Sequence, residues 1–490
     1  MYLGIDAGTS EIKALVLDDN GTILAVAGAP LTVQRPHPHW SEQQPEAWWQ
    51  ALNQAIQQLR IEVGESWSEI SAIGLSGQMH GAVLLNNRGE VLRPCILWND
   101  TRSARQCETL TRKAPQLHDI AGNLAMPGFT APKLLWVAEH EPEIFAQTAH
   151  VLLPKDYLRW CMTGERVSDM SDAAGTLWLD VARRDWSDDL LNACGLNRDM
   201  MPVLVEGSEV SGILRADIAA QWGLGKGVII AGGGGDNAAS AVGIGAINAG
   251  DAFISLGTSG VLFAVNDCYR PNPQSAVHAF CHALPNRWHQ MSVMLTAASA
   301  LRWLCQLTGC NESTLMAEVE QLSEEERDRA PLFLPYLSGE RTPHNDPLAE
   351  GAFSGLKHGT TRAHLGYAVI EGVTFGLADG LQVLNDAGTE LKQCSLVGGG
   401  ARSPYWAQLI ADVLNLLIVT HEGSEAGGAL GAARLAQLAT GADEQTVCVK
   451  PPERHRYIPD ASRFEPLQRR LKHWRLLYRQ QVEARLALMN

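Results

Sequence analysis

The sequence is poor in positive charge: 39 Lys and Arg stand against 54 Asp and Glu in 490 residues, for a formal net charge of -15. That balance argues against a surface built to neutralise nucleic-acid phosphates, which needs clustered cations, so no nucleic acid is expected as a partner. No run of 18 uninterrupted apolar residues occurs, and the chain opens MYLGID, already strand-like, with neither a charged n-region nor an apolar h-region. No membrane span and no secretory leader are expected, and the expected location is cytoplasmic. The ten cysteines include no C-x-x-C pair and are too sparse for a disulfide framework, so reduced thiols are expected. His278, Cys281 and His282 cluster locally, but no second pair completes a zinc site, and the plainer reading is a buried strand or turn. A Walker A sequence is absent, as is a G-x-G-x-x-G between strand and helix, which disfavours a P-loop or a Rossmann dinucleotide site.

What is present is an ordinary globular composition, 46% hydrophobic and 19% charged. At 490 residues it exceeds what one core supports, so two large domains are expected. MYLGIDAGTSEIKALVLDDNG (1–21) reads as strand, GTS turn, strand, and AGDAFISLGTSGVLFAVND (249–267) repeats that plan about half the chain later. This self-similarity points to duplication of one α/β domain, with halves at 1–245 and 246–490. PEAWWQALNQAIQQLR (45–60) carries Trp48, Leu52, Ile56 and Leu59 at helical spacing behind Pro45, which predicts a core-facing helix. Strands are expected over 69–77 and 96–100, a hairpin turning at Asn87-Arg88-Gly89, and strand, glycine-rich turn, helix over both 227–246 and 391–416. SEEERDR (323–329) reads as a solvated loop or helix face, and the Arg- and Leu-rich stretch from Leu467 as a surface-packing helix.

Chemistry concentrates at the strand ends. GIDAGTS (4–10) sets Asp6 before a turn whose Gly8, Thr9 and Ser10 offer amides and hydroxyls to phosphate oxygens, with Lys13 close behind. The second copy keeps Gly257, Thr258 and Ser259 but has Ser255 and Leu256 where the first has Asp6 and Ala7, so the halves are expected to play unequal parts. AGGGGDNAAS (231–240) puts four glycines before Asp236, which opens a small-residue helix. Asp236 at that position reads as an N-cap or as a carboxylate kept ionised by the helix dipole and ready to accept a proton. In phosphoryl transfer an Asp takes the attacking hydroxyl's proton, a role open to Asp236, while Asp6 is the better candidate for the metal side. LSGQMHGA (75–82) offers a glutamine, Met79 and His80 for a small polyol, and GGGAR (398–402) suits close approach of backbone to an adenine or its phosphates.

Together these residues resemble the FGGY carbohydrate kinases of the actin, sugar kinase and Hsp70 superfamily. GFTAPKLLWVAEH (128–140), with Lys133 and Trp136, is similar to that family's first signature, and GAFSGLKHGTTRAHLGYAVIE (351–371), ending in Glu371, to its second. PHPHWSEQ, QMHG, WNDTR, LLPKDYLR, SDMSDAAGT and LPYLSGERTPH resemble the branch that phosphorylates D-xylulose, and Met79-His80 stand where glycerol kinases are expected to have Arg-Glu. The resemblance implies an α/β fold of two actin-like (ribonuclease H-like) domains, each a mixed sheet flanked by helices, with the active site in the cleft between them. It implies a sugar-binding N-terminal domain, an ATP-binding C-terminal domain with a helical tail, and use of ATP and Mg²⁺. A homodimer is compatible with it. Carried over, it places Met79, His80 and Asn237 on the sugar, Asp236 as base, Asp6 near metal and phosphates, Gly257 and Thr258 on phosphate, and Gly399, Gly400 and Ala401 along the nucleotide. The alternatives are a kinase of L-ribulose or glycerol, or a non-catalytic actin-like ATPase. Two departures stand out: Ala7 where the family often has Leu, and four glycines before Asp236 where three are usual.

Overall fold

The computed structural model describes residues 1–422 and 427–489. The first half builds a mixed sheet from β1 (Tyr2–Ala7), β2 (Glu11–Leu17), β3 (Ile23–Pro30), β4 (Ala72–Gly77), β5 (Val210–Ile213), β6 (Ile229–Ala231) and β7 (Gly234–Gly235). The order across it is β5-β6-β4-β1-β2-β3, with β7 also on β4. β1 is buried along almost its whole length, as a central strand flanked on both faces must be. It pairs antiparallel to β2 and parallel to β4. Helix α1 (Pro45–Val63) has Pro at its start and buries Trp48, Leu52, Ile56 and Leu59, the stripe read from the sequence, with Ala51 and Ala55 between them. Helices α2 (Pro154–Thr163) and α3 (Asp236–Gly243) also belong to this half.

The second half repeats the plan. β8 (Ala252–Leu256) pairs antiparallel to β9 (Gly260–Asn266), which pairs antiparallel to β11 (Trp288–Met294), with β10 (His278–Cys281) at the edge. On its other side β8 runs parallel to β12 (Gln393–Val397), then come β13 (Leu417–His421), parallel, and β14 (Glu453–Tyr457), antiparallel. Three antiparallel strands, two parallel ones and an antiparallel edge therefore occur in the same order in both sheets, which is the duplication read from the two GTS hairpins. His278 and Cys281 lie in the buried edge strand β10 and His282 just beyond it, and no metal-holding group of three or more His, Cys, Asp or Glu forms among the described residues.

Among the helices of this half are α4 (Arg362–Asp386), α5 (Pro404–Leu414), α6 (Gly427–Ala439) and α7 (Ala461–Met489). α7 begins before Leu467 and docks by burying Leu467, Leu471 and Trp474, while Arg470 pairs with Glu371 of α4 at 2.6 Å. Residues 324–328 form a short helix with no buried residue, capped reciprocally by Ser323 and Glu326. α6 follows β13 in sequence yet packs on the first sheet: a Cβ on Gly4 of β1 would lie 2.0 Å from the Ala429 carbonyl oxygen, and one on Gly74 of β4 1.8 Å from that of Ala432. α6 also crosses α3 backbone to backbone at Gly431 and Gly243. A cut after residue 245 thus separates the two sheets but leaves α6 on the far side of it from the sheet it covers. Among the described residues no helix is long and apolar enough to cross a membrane.

Candidate active site

The run of four glycines is where the first sheet opens. β6 pairs with β4 at Ile229↔Ala72 and Ile230↔Ile73, and β7 resumes the pairing at Gly234↔Ser76 and Gly235↔Gly77. Four residue steps on one strand oppose three on the other, so one residue is extruded as a β-bulge. Gly233 takes the left-handed conformation, φ 82°, and a Cβ there would lie 2.2 Å from the Leu75 carbonyl oxygen, so only glycine fits. The bulge takes up one residue of the glycine run and delivers the strand end onto the first turn of α3.

Asp236 is the first residue of α3, and Gly235 occupies the cap position, so Asp236 is not the N-cap anticipated from the sequence. Its Oδ1 instead accepts hydrogen bonds from the Asn237 backbone N–H (2.7 Å) and side-chain Nδ2 (3.0 Å). Nor does the helix end hold it low: burial, and then the nearby Asp6 carboxylate, push Asp236 up to about 6. Asp6, near the end of β1, is itself pushed up by burial, against the opposing effects of its hydrogen bond from Ser76 Oγ (2.8 Å) and of Lys13. Gly428 of α6 comes close enough that a Cβ would sit 3.0 Å from Asp6 Oδ1. Two partly exposed carboxylates, one on β1 and one just after β7 on the other side of β4, therefore lie near each other at the strand ends, with α6 against one and α3 carrying the other.

The substrate-side residues gather beside them. Met79 packs its thioether on the backbone at Gly235, where a Cβ would lie 3.0 Å from Sδ. His80 has positive φ, 71°, and its shape is fixed from three sides. Its Nδ1 is 2.7 Å from the Gly175 carbonyl oxygen, its ring meets Phe129 edge-on at 4.6 Å, and its own carbonyl accepts from Lys133 Nζ (2.9 Å) and Thr130 Oγ1 (3.1 Å). Burial first, and then the Lys133 and Arg341 charges, lower His80 to about 3, so the ring is neutral. A carbonyl on Nδ1 requires the proton there and leaves Nε2 as an acceptor. Gln78, read as a polyol contact, is only 3% exposed and turned the other way. Its Nε2 donates to Gln43 Oε1 (3.1 Å) and its Oε1 accepts from Thr9 Oγ1 (3.2 Å), so it braces the first GTS turn.

In that turn Thr9 Oγ1 also accepts from Trp98 Nε1 (2.9 Å), Gly8 is half-buried, Ser10 is exposed, and Lys13 pairs loosely with Glu11 (3.6 Å). In the second copy the Gly257 and Thr258 carbonyls accept from Ala298 (2.8 Å) and Ala297 (2.9 Å), which pins the turn backbone while Thr258 stays exposed. Between the halves lies a cavity of about 310 Å³ that Asn237 and Ser240 of α3 share with Phe253 and Ser255 of β8, Val397, Gly398 and Gly399. Of the three residues expected along the nucleotide, Gly399 lines this cavity, whereas Gly400 and Ala401 do not. Gly400 is pressed against Leu256, where a Cβ would meet Cδ2 at 2.4 Å, and Ala401 packs on the second core, because the turn after β12 rolls into a 3₁₀ helix that faces them inward. Sequence reasoning gave no role to the apolar walls, Phe253 and Val397, or to the bracing residues Ser76 and Trp98; the first two lie in strands β8 and β12, where an apolar residue reads only as core, and the other two act through contacts distant in sequence, on Asp6 and Thr9.

The N-terminal domain of the FGGY family of carbohydrate kinases matches residues 1–243, and its C-terminal domain residues 252–440. The chain is 52% identical over 482 residues to a xylulose kinase of Escherichia coli (strain K12), covering 98% of this chain and 99% of the relative. It is 37% identical to a xylulose kinase of Bacillus subtilis (strain 168), over 97% of this chain and 95% of that one. Among solved structures, a xyloylose kinase from Brucella ovis superposes with a TM-score of 0.96 at 51% identity, over 99% of both chains.

Proposed function

The chain belongs to the FGGY family of carbohydrate kinases, and from that membership we propose that it phosphorylates D-xylulose with ATP, giving D-xylulose 5-phosphate and ADP. The observation that carries the residue assignment is the cavity joining Asn237, the neighbour of Asp236, to Gly398 and Gly399 of the other half. It lets a base and an acceptor on one side meet a nucleotide on the other. Met79 packs the carbon edge of the sugar, His80 Nε2 accepts a sugar hydroxyl, and Asn237 holds another. Asp236 accepts the proton of the terminal hydroxyl as that oxygen bonds to the γ-phosphorus; the bond from phosphorus to the β,γ-bridging oxygen breaks, and its electron pair leaves with ADP.

Asp6 belongs on the Mg²⁺ side. The donor set fits that ion: Asp6 offers carboxylate oxygens close enough to raise the proton affinity of Asp236, and Mg²⁺ is commonly held by one or two carboxylates plus substrate phosphates. When bound, the ion neutralises charge on the transferring group. Gly8, Thr9 and Ser10 on one turn with Lys13 of β2 behind it, and Gly257 and Thr258 on the other turn, supply amides, hydroxyls and charge to the phosphates, and Gly399 approaches the nucleoside.

The substrate assignment is tested by ATP turnover with a panel of ketoses and polyols. D-xylulose is expected to give the highest kcat/KM; stimulation by L-ribulose or glycerol but not by D-xylulose overturns it. The nucleotide side is tested at Gly399, where a Cβ meets nothing within 4 Å. Gly399→Leu is expected to raise KM for ATP about tenfold or more by filling the cavity, the order of one lost apolar contact surface, while KM for the sugar and the melting temperature hold. An unchanged KM for ATP removes this cavity from nucleotide binding.

A further inference from the structure

A bulge releases ladder hydrogen bonds, and those released around Gly232 and Gly233 must be met elsewhere. Arg159 of α2, fully buried, meets two of them: Nη1 donates to the Ala231 carbonyl (2.6 Å) and Nη2 to that of Gly232. Ser171 holds the strand just past the bulge, its Oγ accepting from the Gly235 N–H at 3.1 Å, one residue before Asp236. Ser171 in turn donates its hydroxyl proton to Asp169 Oδ2. Behind both stands Lys155, whose ammonium reaches Asp156 Oδ1 and Asp169 Oδ1 at 2.7 Å and Asp172 Oδ2 at 2.8 Å, one carboxylate for each N–H. Asp156 also faces Arg159 at 3.4 Å. All six side chains are sealed from solvent.

Such a cluster is costly to bury. Three aspartates against one lysine and one arginine leave a deficit of one positive charge, and burial together with the other two carboxylates pushes Asp172 up, against the pull of Lys155. A proton kept on Asp172 brings the group to neutrality. A hydrophobic plug would fill the same space at lower cost, so the cluster's use lies in where its hydrogen bonds point. They point to both arms of the site. Asp169 caps the short helix Met170–Ala173 through the Ser171 and Asp172 amides, and the turn that follows presents the Gly175 carbonyl to His80.

We propose that the buried Lys155, Asp156, Asp169 and Asp172 cluster fixes the β-bulge through Arg159 and Ser171 and thereby aims the Asp236 carboxylate at the acceptor hydroxyl. Ser171 and Arg159 are positioning residues: they touch no substrate and act through the strand end. The inference rests on Asp236 being the base.

Lys155→Met removes the anchor and is expected to lower soluble yield as well as activity, so the deciding variant is Ser171→Ala, which removes one hydrogen bond and little volume. In the full-length enzyme Ser171→Ala is expected to lower kcat about tenfold, the scale of one buried hydrogen bond, with KM for ATP and D-xylulose within about twofold of wild type, since neither substrate is touched. Ser171→Thr, which keeps the hydroxyl, restores most of the rate. In an Asp236→Asn background Ser171→Ala has no further effect, because the carboxylate it aims is gone. Unchanged kcat, a parallel rise in both KM values, or an equal fall in the Asp236→Asn background overturns the proposal. Near-normal turnover by Asp236→Asn alone is a separate result that removes the base and leaves the effect of Ser171→Ala to be read independently.

Discussion

Asp236→Asn is expected to cut kcat by about 10²–10⁴-fold, the range over which a positioned general base contributes, while the melting temperature and the affinity for ATP stay as they are. The amide is nearly isosteric, and its oxygen can still accept from the Asn237 N–H, so the first turn of α3 keeps its form. What it cannot do is take a proton from the attacking hydroxyl. The pH profile follows from the same group. With Asp236 pushed up to about 6 by burial and by Asp6, the base form dominates above pH 6 and the protonated form below it. kcat/KM is therefore expected to be flat through neutrality and to fall tenfold per pH unit on the acid side, with the break near 6, since this parameter reports groups of the free enzyme. Asp236→Asn should lose that acid limb from whatever rate remains. A variant with near-normal turnover, or one that keeps the break near pH 6, removes Asp236 from the mechanism.

The elements that carried this reading are those in which local pattern and tertiary role coincide. The two GTS hairpins are legible because each turn joins strands that are central to their own sheet, so apolar runs and turn residues agree, and the duplication follows. The stripe on α1 is legible for the same reason: its apolar residues face the core at one periodicity, mainly against the first sheet. Asp236 is visible through the glycines before it, yet its surroundings are not. Whether a carboxylate at a helix start is held low by the dipole or pushed up by burial depends on Asp6, 230 positions away in the chain and on the other side of β4. Gln78 misleads because a polar residue beside Met79 and His80 looks like part of their surface, whereas the chain has left β4 by then and its amide is taken up by Gln43 and Thr9, contacts distant in sequence. The bulge is invisible for a further reason. It is a mismatch between two strands more than 150 residues apart, and an extra glycine in one of them has no meaning until the register of the pair is known.

Gly431→Ala is expected to be the most disruptive glycine-to-alanine change among the described residues. A Cβ at Gly431 would lie 1.7 Å from the Ala239 carbonyl oxygen, and the atom it meets is helix backbone, which no rotamer change can move. Gly243 stands in the same relation to the Gly427 carbonyl at 2.6 Å, so α3 and α6 touch along their backbones at the crossing, and neither can rotate to make room for the other. The helices must separate by more than an ångström for real van der Waals contact. Overpacking of this kind costs about 1–3 kcal/mol or more, and the melting temperature should drop by several degrees. The loss in rate should exceed what stability alone predicts. α3 begins with Asp236, and α6 begins against Asp6 at Gly428, so the crossing sets the spacing of the two carboxylates. A displacement of about 1 Å at reacting groups can lower a rate by about 10²-fold, and kcat of the folded fraction is expected to fall on that scale. Gly359→Ala is the control: this exposed glycine has open space around its Cβ position and should change neither property. If Gly431→Ala melts and turns over like wild type, the two helices do not cross as described and the spacing of Asp6 and Asp236 is set elsewhere.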